Sequence, residues 1–200
     1  MKKFFDCGTH MFQGFKEFSK MYGIDESWKS YCFEANPITY DESKKEYLDL
    51  LNTGLKIEHF NFAVSDRYEE FKINCAMSPE MDGYTNQGSN ILNDPPKTDK
   101  VYGGNFSYER MERSVRSVDF SDFINKNSED NDFVLVKIDI EGSEFQVIDG
   151  LINSGSFKKI NEIYVEFHER FFENEEYYRV KKNNFAQMFA YYGIKFNDWK

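Results

Sequence analysis

Val134 to Gly142 reads VLVKIDIEG, a short apolar run that ends abruptly in Asp139, Glu141 and Gly142. A stretch this rich in β-branched side chains and too short for a helix predicts a strand covered on both faces of a parallel sheet, its carboxylates at the carboxyl end. In open α/β sheets that end is where ligands sit. A second run, Ile160 to Phe167, leads into the same chemistry with Glu166 and His168 at its end. Two strands would thus bring three carboxylates and an imidazole to one rim, and the reaction is expected there.

Working outward, 200 residues suffice for one domain, large enough to bury roughly 70% of the unfolded chain's surface. A net charge of −10 repels phosphate backbones and anionic lipid, which argues against nucleic acid and membrane surfaces as partners. No apolar run approaches the roughly 18 to 20 residues that span a bilayer, and residues 1–8 lack the core of a signal peptide, so a cytoplasmic location is expected. Cys7, Cys32 and Cys75 are an odd number without metal-ligand spacing and read as reduced core residues.

From the start, Lys2 to Gly8 predicts a strand that meets Asp6 and Gly8, and Phe12 to Tyr22 has the apolar spacing of a helix. The turn between them is not the dinucleotide fingerprint, because only Gly8 and Gly14 are available and their spacing is wrong. A second strand, Ser30 to Glu34, stops before Pro37. Glu34, at its tip, stands where a carboxylate can accept two ribose hydroxyls side by side. Residues 41–53 read as a helix, and Lys56 to Asp66 as a third strand with Ser65 and Asp66 at its end. From Asn74 to Arg113 the pattern dissolves into Gly, Asn, Pro and Ser, which predicts an irregular, lid-like insertion within a single domain, 1–200. Val115 to Ile124 is amphipathic, Phe145 to Ile152 a helix, 171–192 a last helix, and Ile194 to Trp199 a sixth strand. Strands alternating with helices in this order make a mostly parallel, doubly wound α/β sheet.

In order and spacing, DCGTHMFQG, FEANP, AVSD, VKIDIEGSEFQVIDG and YVEFHE resemble the motifs of the FkbM-type S-adenosylmethionine-dependent methyltransferases, across nearly the whole chain. The resemblance implies the Rossmann-like fold of class I methyltransferases. It also implies that Asp6 and Gly8 line the methionine part of the cofactor, that Glu34, with Ala35 beside it, grips the ribose, and that Ser65 and Asp66 lie beside the adenine. Asp139 and Glu141 would face the sulfonium and the acceptor. Where this chain has Phe12 the family usually has glycine, which leaves His10 or Gln13 to meet the carboxylate tail. The leading helix and the last strand of the fold are absent from the reading, as expected of a domain cut from a longer chain. The chain also resembles the methyltransferase modules fused to glycosyltransferases in the glycan-building enzymes of large algal viruses, which would place it in host cytoplasm, covalently linked to such domains.

The implied reaction is methyl transfer to a hydroxyl of a sugar or glycan such as rhamnose. A sugar hydroxyl must lose its proton to a base or have its charge stabilised by a metal. His168 is the better base by its ordinary pKa, whereas Asp139, Glu141 and Glu166, Asp139 and Glu166 above all, could instead bind a divalent cation, Mg²⁺ or Mn²⁺, through hard oxygens. Glu144, in the first turn of a helix, reads as a partner of the helix dipole rather than a catalyst. Two readings of other classes remain: a NAD-dependent oxidoreductase, disfavoured by the missing GxGxxG, and a catalytically silent binding domain.

Overall fold

The computed structural model describes residues 1–77 and 109–199, with side chains for 1–73 and 112–199. Along the chain run β1 (Lys2–Cys7), α1 (Gln13–Tyr22), β2 (Trp28–Phe33), α2 (Pro37–Glu42), α3 (Lys44–Asn52), β3 (Lys56–Phe60), β4 (Ala63–Ser65) and β5 (Glu70–Met77). Then follow β6 (Glu109–Asp119), α4 (Phe120–Asn127), β7 (Phe133–Ile138), α5 (Glu144–Ser154), β8 (Glu162–Val165), α6 (Glu175–Tyr191) and β9 (Lys195–Asp198). Six strands form one sheet in the order β3-β2-β1-β7-β8-β9, every neighbouring pair parallel. The chain steps outward from β1 to β3, returns to β7 and steps outward the other way, so the winding reverses between β1 and β7. The expected doubly wound parallel sheet is the one observed, with the VLVKI run at its centre.

Alternation along the strands explains why both faces are covered. On β7, Val134, Val136 and Ile138 point into a core shared with Phe5, Phe33, Ile163 and residues of α4, α5 and α6. Leu135 points the other way, joining Phe4, Trp28, Cys32 and Ile57 beneath Phe15 and Phe18 of α1. Each fully buried large side chain stabilises this arrangement by about 1.5 to 3 kcal/mol relative to exposure. Cys7 and Cys32 are buried free thiols, pushed well above the ordinary range chiefly by burial, as a core reading requires.

Three expectations change, and a fourth stretch gains its elements. The 41–53 helix is two helices broken at Ser43, the first opening on Asn36, whose side chain accepts the Ile38 N–H at 3.0 Å, with Pro37 next in line. The single strand 56–66 is also two: it leaves the main sheet after Phe60, and β4 pairs instead with β6. The described ends of the expected irregular insertion are strands, since β5 and β6 pair antiparallel from Glu70↔Arg116 to Met77↔Glu109. Its interior, 78–108, lies outside the described residues. The amphipathic stretch 115–124 switches from strand to helix at Asp119, whose carboxylate accepts the Asp122 N–H at 3.1 Å as a helix cap. Among the described residues no helix is long and apolar enough to cross a membrane.

Candidate active site

The carboxyl ends of β1 and β7 lie side by side at the reversal point. Asp139 N–H donates to the Cys7 carbonyl at 3.1 Å, and Gly8 N–H and Thr9 N–H donate to the Phe33 carbonyl at 3.0 and 2.9 Å. Gly8 has φ 81°, and a Cβ there would lie 1.8 Å from the Asp139 carbonyl oxygen. Only glycine fits both demands. The glycine of the DCG motif is therefore dictated first by the crossing of two strand ends.

Beneath that crossing sits Lys137, its side chain 3% exposed. Its ammonium donates to the Gly8 carbonyl at 2.8 Å and stands 3.4 Å from Asp6 and 3.3 Å from Asp139. Burial works against its charge, but Asp139 and Asp6 together raise its pKa above the ordinary value. Asp6 is wholly buried; burial raises its carboxyl while Lys137 pulls it back. Its carboxylate thus faces Lys137 inside the protein, and Gly8 is the part of the motif that reaches the rim.

Glu34 follows directly on β2 and is nearly buried. It accepts the His10 N–H at 2.9 Å on one oxygen and the Asn36 N–H at 2.8 Å on the other. Asn61 donates its amide to the Glu34 and Ala35 carbonyls at 2.8 and 3.1 Å, which fixes this corner. Burial lifts the Glu34 carboxyl to about 7 in spite of those two donors and Lys137. Among the described residues each oxygen accepts a single N–H, which leaves it a further lone pair of the kind a pair of vicinal hydroxyls would need. His10 and Gln13 meet at 3.2 Å in the loop between. Asp6, Gly8, His10, Gln13, Glu34 and Ala35 thus fall in one connected region. Ser65 is buried at the end of β4, and Asp66 is tied to α5 through Gln146 at 2.5 Å. There it borders a groove of about 670 Å³ that Gly142, Asp149 and Lys181 also line.

Across the reversal point, ligand atoms of Asp139, Glu141 and His168 all lie within 4.8 Å of one another. His168 is 1% exposed; its Nδ1 donates to Glu144 at 2.8 Å, and its Nε2 stands 3.3 Å from Glu141 and 3.8 Å from Glu166. Burial disfavours the imidazolium, but the Glu144 bond and the charges of Glu144, Glu141 and Asp139 push its pKa up to about 9. The surrounding carboxylates therefore favour the imidazolium form of His168. Burial, opposed by His168 and aided by the neighbouring carboxylates, lifts Glu141 to about 7. Two carboxylates and an imidazole without its Nε2 proton fit a divalent cation of the Mg²⁺ or Mn²⁺ class. The grouped set holds Glu141 and His168 together with Asp139, and Glu166 flanks it.

Two members of the network escape a reading of the sequence. Lys137 interrupts an apolar strand between two aspartates in space, and only the parallel register Asp6↔Lys137 reveals the pairing. Glu144 does sit in the first turn of α5, but its bond to His168 closes a span of 24 residues.

A parallel sheet with acidic and basic side chains gathered where its winding reverses has the layout in which open α/β proteins bind ligands across the strand ends. The Methyltransferase FkbM domain model matches residues 6–192, and the chain belongs to the FkbM methyltransferase family. The crystal structure of methyltransferase FkbM from Methylobacillus flagellatus KT is similar with a TM-score of 0.43 and 13% identity, over 77% of this chain and 30% of that one. This chain thus spans less than a third of that protein's length. No curated protein matches it.

Proposed function

We propose that this chain transfers a methyl group from S-adenosylmethionine to a hydroxyl of a sugar or glycan. The observation that carries the reading is the meeting of Asp139, Glu141 and His168 at the reversal point, beside the Gly8–Glu34 region. When bound, the cofactor supplies an electrophilic methyl on a sulfonium. Glu34 binds the ribose hydroxyls through its free lone pairs, and the backbone of the Gly8 loop approaches the amino-acid end. On the other side, an acceptor hydroxyl is oriented by Glu141 and His168. Glu141, poised near neutrality, takes the proton, and the His168 imidazolium beside it stabilises the negative charge that develops on oxygen. Holding both reactants at attack distance supplies much of the rate. With its Nε2 proton lost, His168 would instead join Asp139 and Glu141 in holding a divalent cation, with Glu166 as flanking ligand, and such an ion would act on the same hydroxyl as a Lewis acid in place of the imidazolium.

Mass spectrometry of L-rhamnose and other free hexoses and deoxyhexoses, after incubation with S-adenosylmethionine, tests the reading. A methyl gain on an oxygen supports it. Binding of NAD in place of S-adenosylmethionine, or methyl transfer to an added amine acceptor but to none of the sugars, would overturn it.

A further inference from the structure

We propose that Glu144 is the positioning residue of this site, a single carboxylate that both shapes the Asp139–Gly142 turn and aims the His168 imidazole. The inference rests on reading the Asp139, Glu141 and His168 cluster as the reacting rim. Glu144 is 0% exposed, and a carboxylate so buried persists only where its lone pairs are filled. It accepts the Ile140 N–H at 3.1 Å and the Gly142 N–H at 3.0 and 3.1 Å, the two backbone donors that flank Glu141. Glu141 itself has φ 55°, a left-handed conformation for a residue with a long side chain. Such a conformation costs about 1 to 2 kcal/mol and survives where its surroundings over-determine it. The turn is wrapped around the Glu144 carboxylate, and that wrapping turns Glu141 outward to the rim.

The oxygen of Glu144 that accepts Ile140 also accepts His168 Nδ1 at 2.8 Å. Nδ1 is thereby committed, and Nε2 is the ring nitrogen that faces Glu141 at 3.3 Å. One side chain sets the relative position of two groups that come from different strand ends. A dipole partner at a helix start would need only the backbone bonds. The bond to His168 goes beyond that role, and it has the form of the second-layer carboxylates that orient reactive or metal-binding imidazoles.

The test compares wild type with Glu144→Asp, Glu144→Gln and Glu144→Ala. Its readout is the Nδ1 proton of His168 by ¹⁵N-edited NMR, assigned with His168→Gln. The chain has only three histidines to resolve, and this arm needs no acceptor. Wild type should show a downfield Nδ1 proton protected from exchange. Glu144→Gln keeps a carbonyl oxygen at the acceptor position and should keep the signal. Glu144→Asp is one methylene too short to reach the ring and the turn together and should lose it, as should Glu144→Ala. Urea unfolding of each variant identifies those that fold, and Glu144→Asp serves if Glu144→Ala does not. Turnover of L-rhamnose should fall roughly 10- to 100-fold in Glu144→Asp, the scale for loss of such an orienting partner, with S-adenosylmethionine affinity little changed. A protected Nδ1 proton that persists in folded Glu144→Asp or Glu144→Ala overturns the assignment. A lost signal with full turnover leaves the positioning intact and instead removes the cluster from the reaction.

Discussion

Replacing Lys137 by methionine keeps most of the side-chain stem and removes the charge. The ammonium is 3% exposed and lies 3.4 Å from the fully buried Asp6 and 3.3 Å from Asp139. Breaking a buried pair from one side strands the partner charge and costs about 3 to 5 kcal/mol. For an m-value of about 2 to 3 kcal/mol/M, that lowers the urea midpoint by roughly 1 to 2.5 M. The pH dependence carries a further check. Burial already raises the Asp6 pKa, and Lys137 is the main force holding it down. A carboxyl whose folded pKa lies above its unfolded value favours the folded state at low pH, and that contribution is lost as pH rises through the folded pKa. Without Lys137 the pKa rises further, so the deficit should be largest at neutral pH and narrow as pH falls toward the ordinary aspartate range. Asp6→Asn combined with Lys137→Met removes both charges and should recover part of the loss. Urea titrations from pH 4.5 to 8 measure all of this. A Lys137→Met protein within about 1 kcal/mol of wild type at neutral pH, or a deficit that widens on acidification, would refute the argument.

Glu34→Ala removes the acceptor of the ribose hydroxyls and should weaken S-adenosylmethionine binding by roughly 1.5 to 3 kcal/mol; unchanged affinity by calorimetry would take Glu34 out of the site. His59 is packed against Phe12, Tyr40 and Tyr47, and burial, then the charge of Lys44, lowers its pKa from 6.5 to about 4. The unfolded chain binds that proton first, so stability should fall as pH drops from 6.5 toward 4, and His59→Phe should flatten the slope in thermal melts between those limits. Glu141→Gln should lower turnover with S-adenosylmethionine affinity nearly constant, the pattern of an interaction used in the transition state. Should a divalent cation reside at the cluster, EDTA should abolish methyl transfer and Mn²⁺ restore it; activity indifferent to chelation leaves Glu141 as sole proton acceptor.

What could be read without coordinates was whatever leaves a local trace. The β7 run is apolar at every position but Lys137, and its strand, its place in a parallel sheet and the acidic residues at its end all follow from that run. The ends of β1, β2 and β8 were legible for the same reason. The β5–β6 pair was missed although Phe71 and Ile73 alternate with polar neighbours, because the Gly- and Pro-rich sequence after them suggested an insertion starting at Asn74. The third strand reads too long because nothing in IEHFNFAVSD marks the change of sheet at Asn61, which holds the Glu34–Ala35 corner from the link between β3 and β4. His168 was recognised, but its charge state was not. That depends on Glu144 and Glu141, which reach it only through the fold.

Phe12 shows how this chain keeps a turn for which the resemblance implies glycine. Its backbone is left-handed, φ 63° and ψ 19°, at the N-terminus of α1. A phenylalanine in that conformation costs about 1 to 2 kcal/mol. The ring, however, is wholly buried, with centroids 5.8 Å from Phe15, 4.9 Å from His59 and 6.3 Å from Tyr47. That burial is worth about 1.5 to 3 kcal/mol, enough to offset the strain. The shape of the turn is thus held from beneath by the aromatic core, where a glycine would merely permit it. Because His10, two residues earlier, donates its N–H to Glu34, the same packing also fixes the donor that orients the Glu34 carboxylate. The departure from glycine thus alters how the loop is held while leaving its left-handed turn in place.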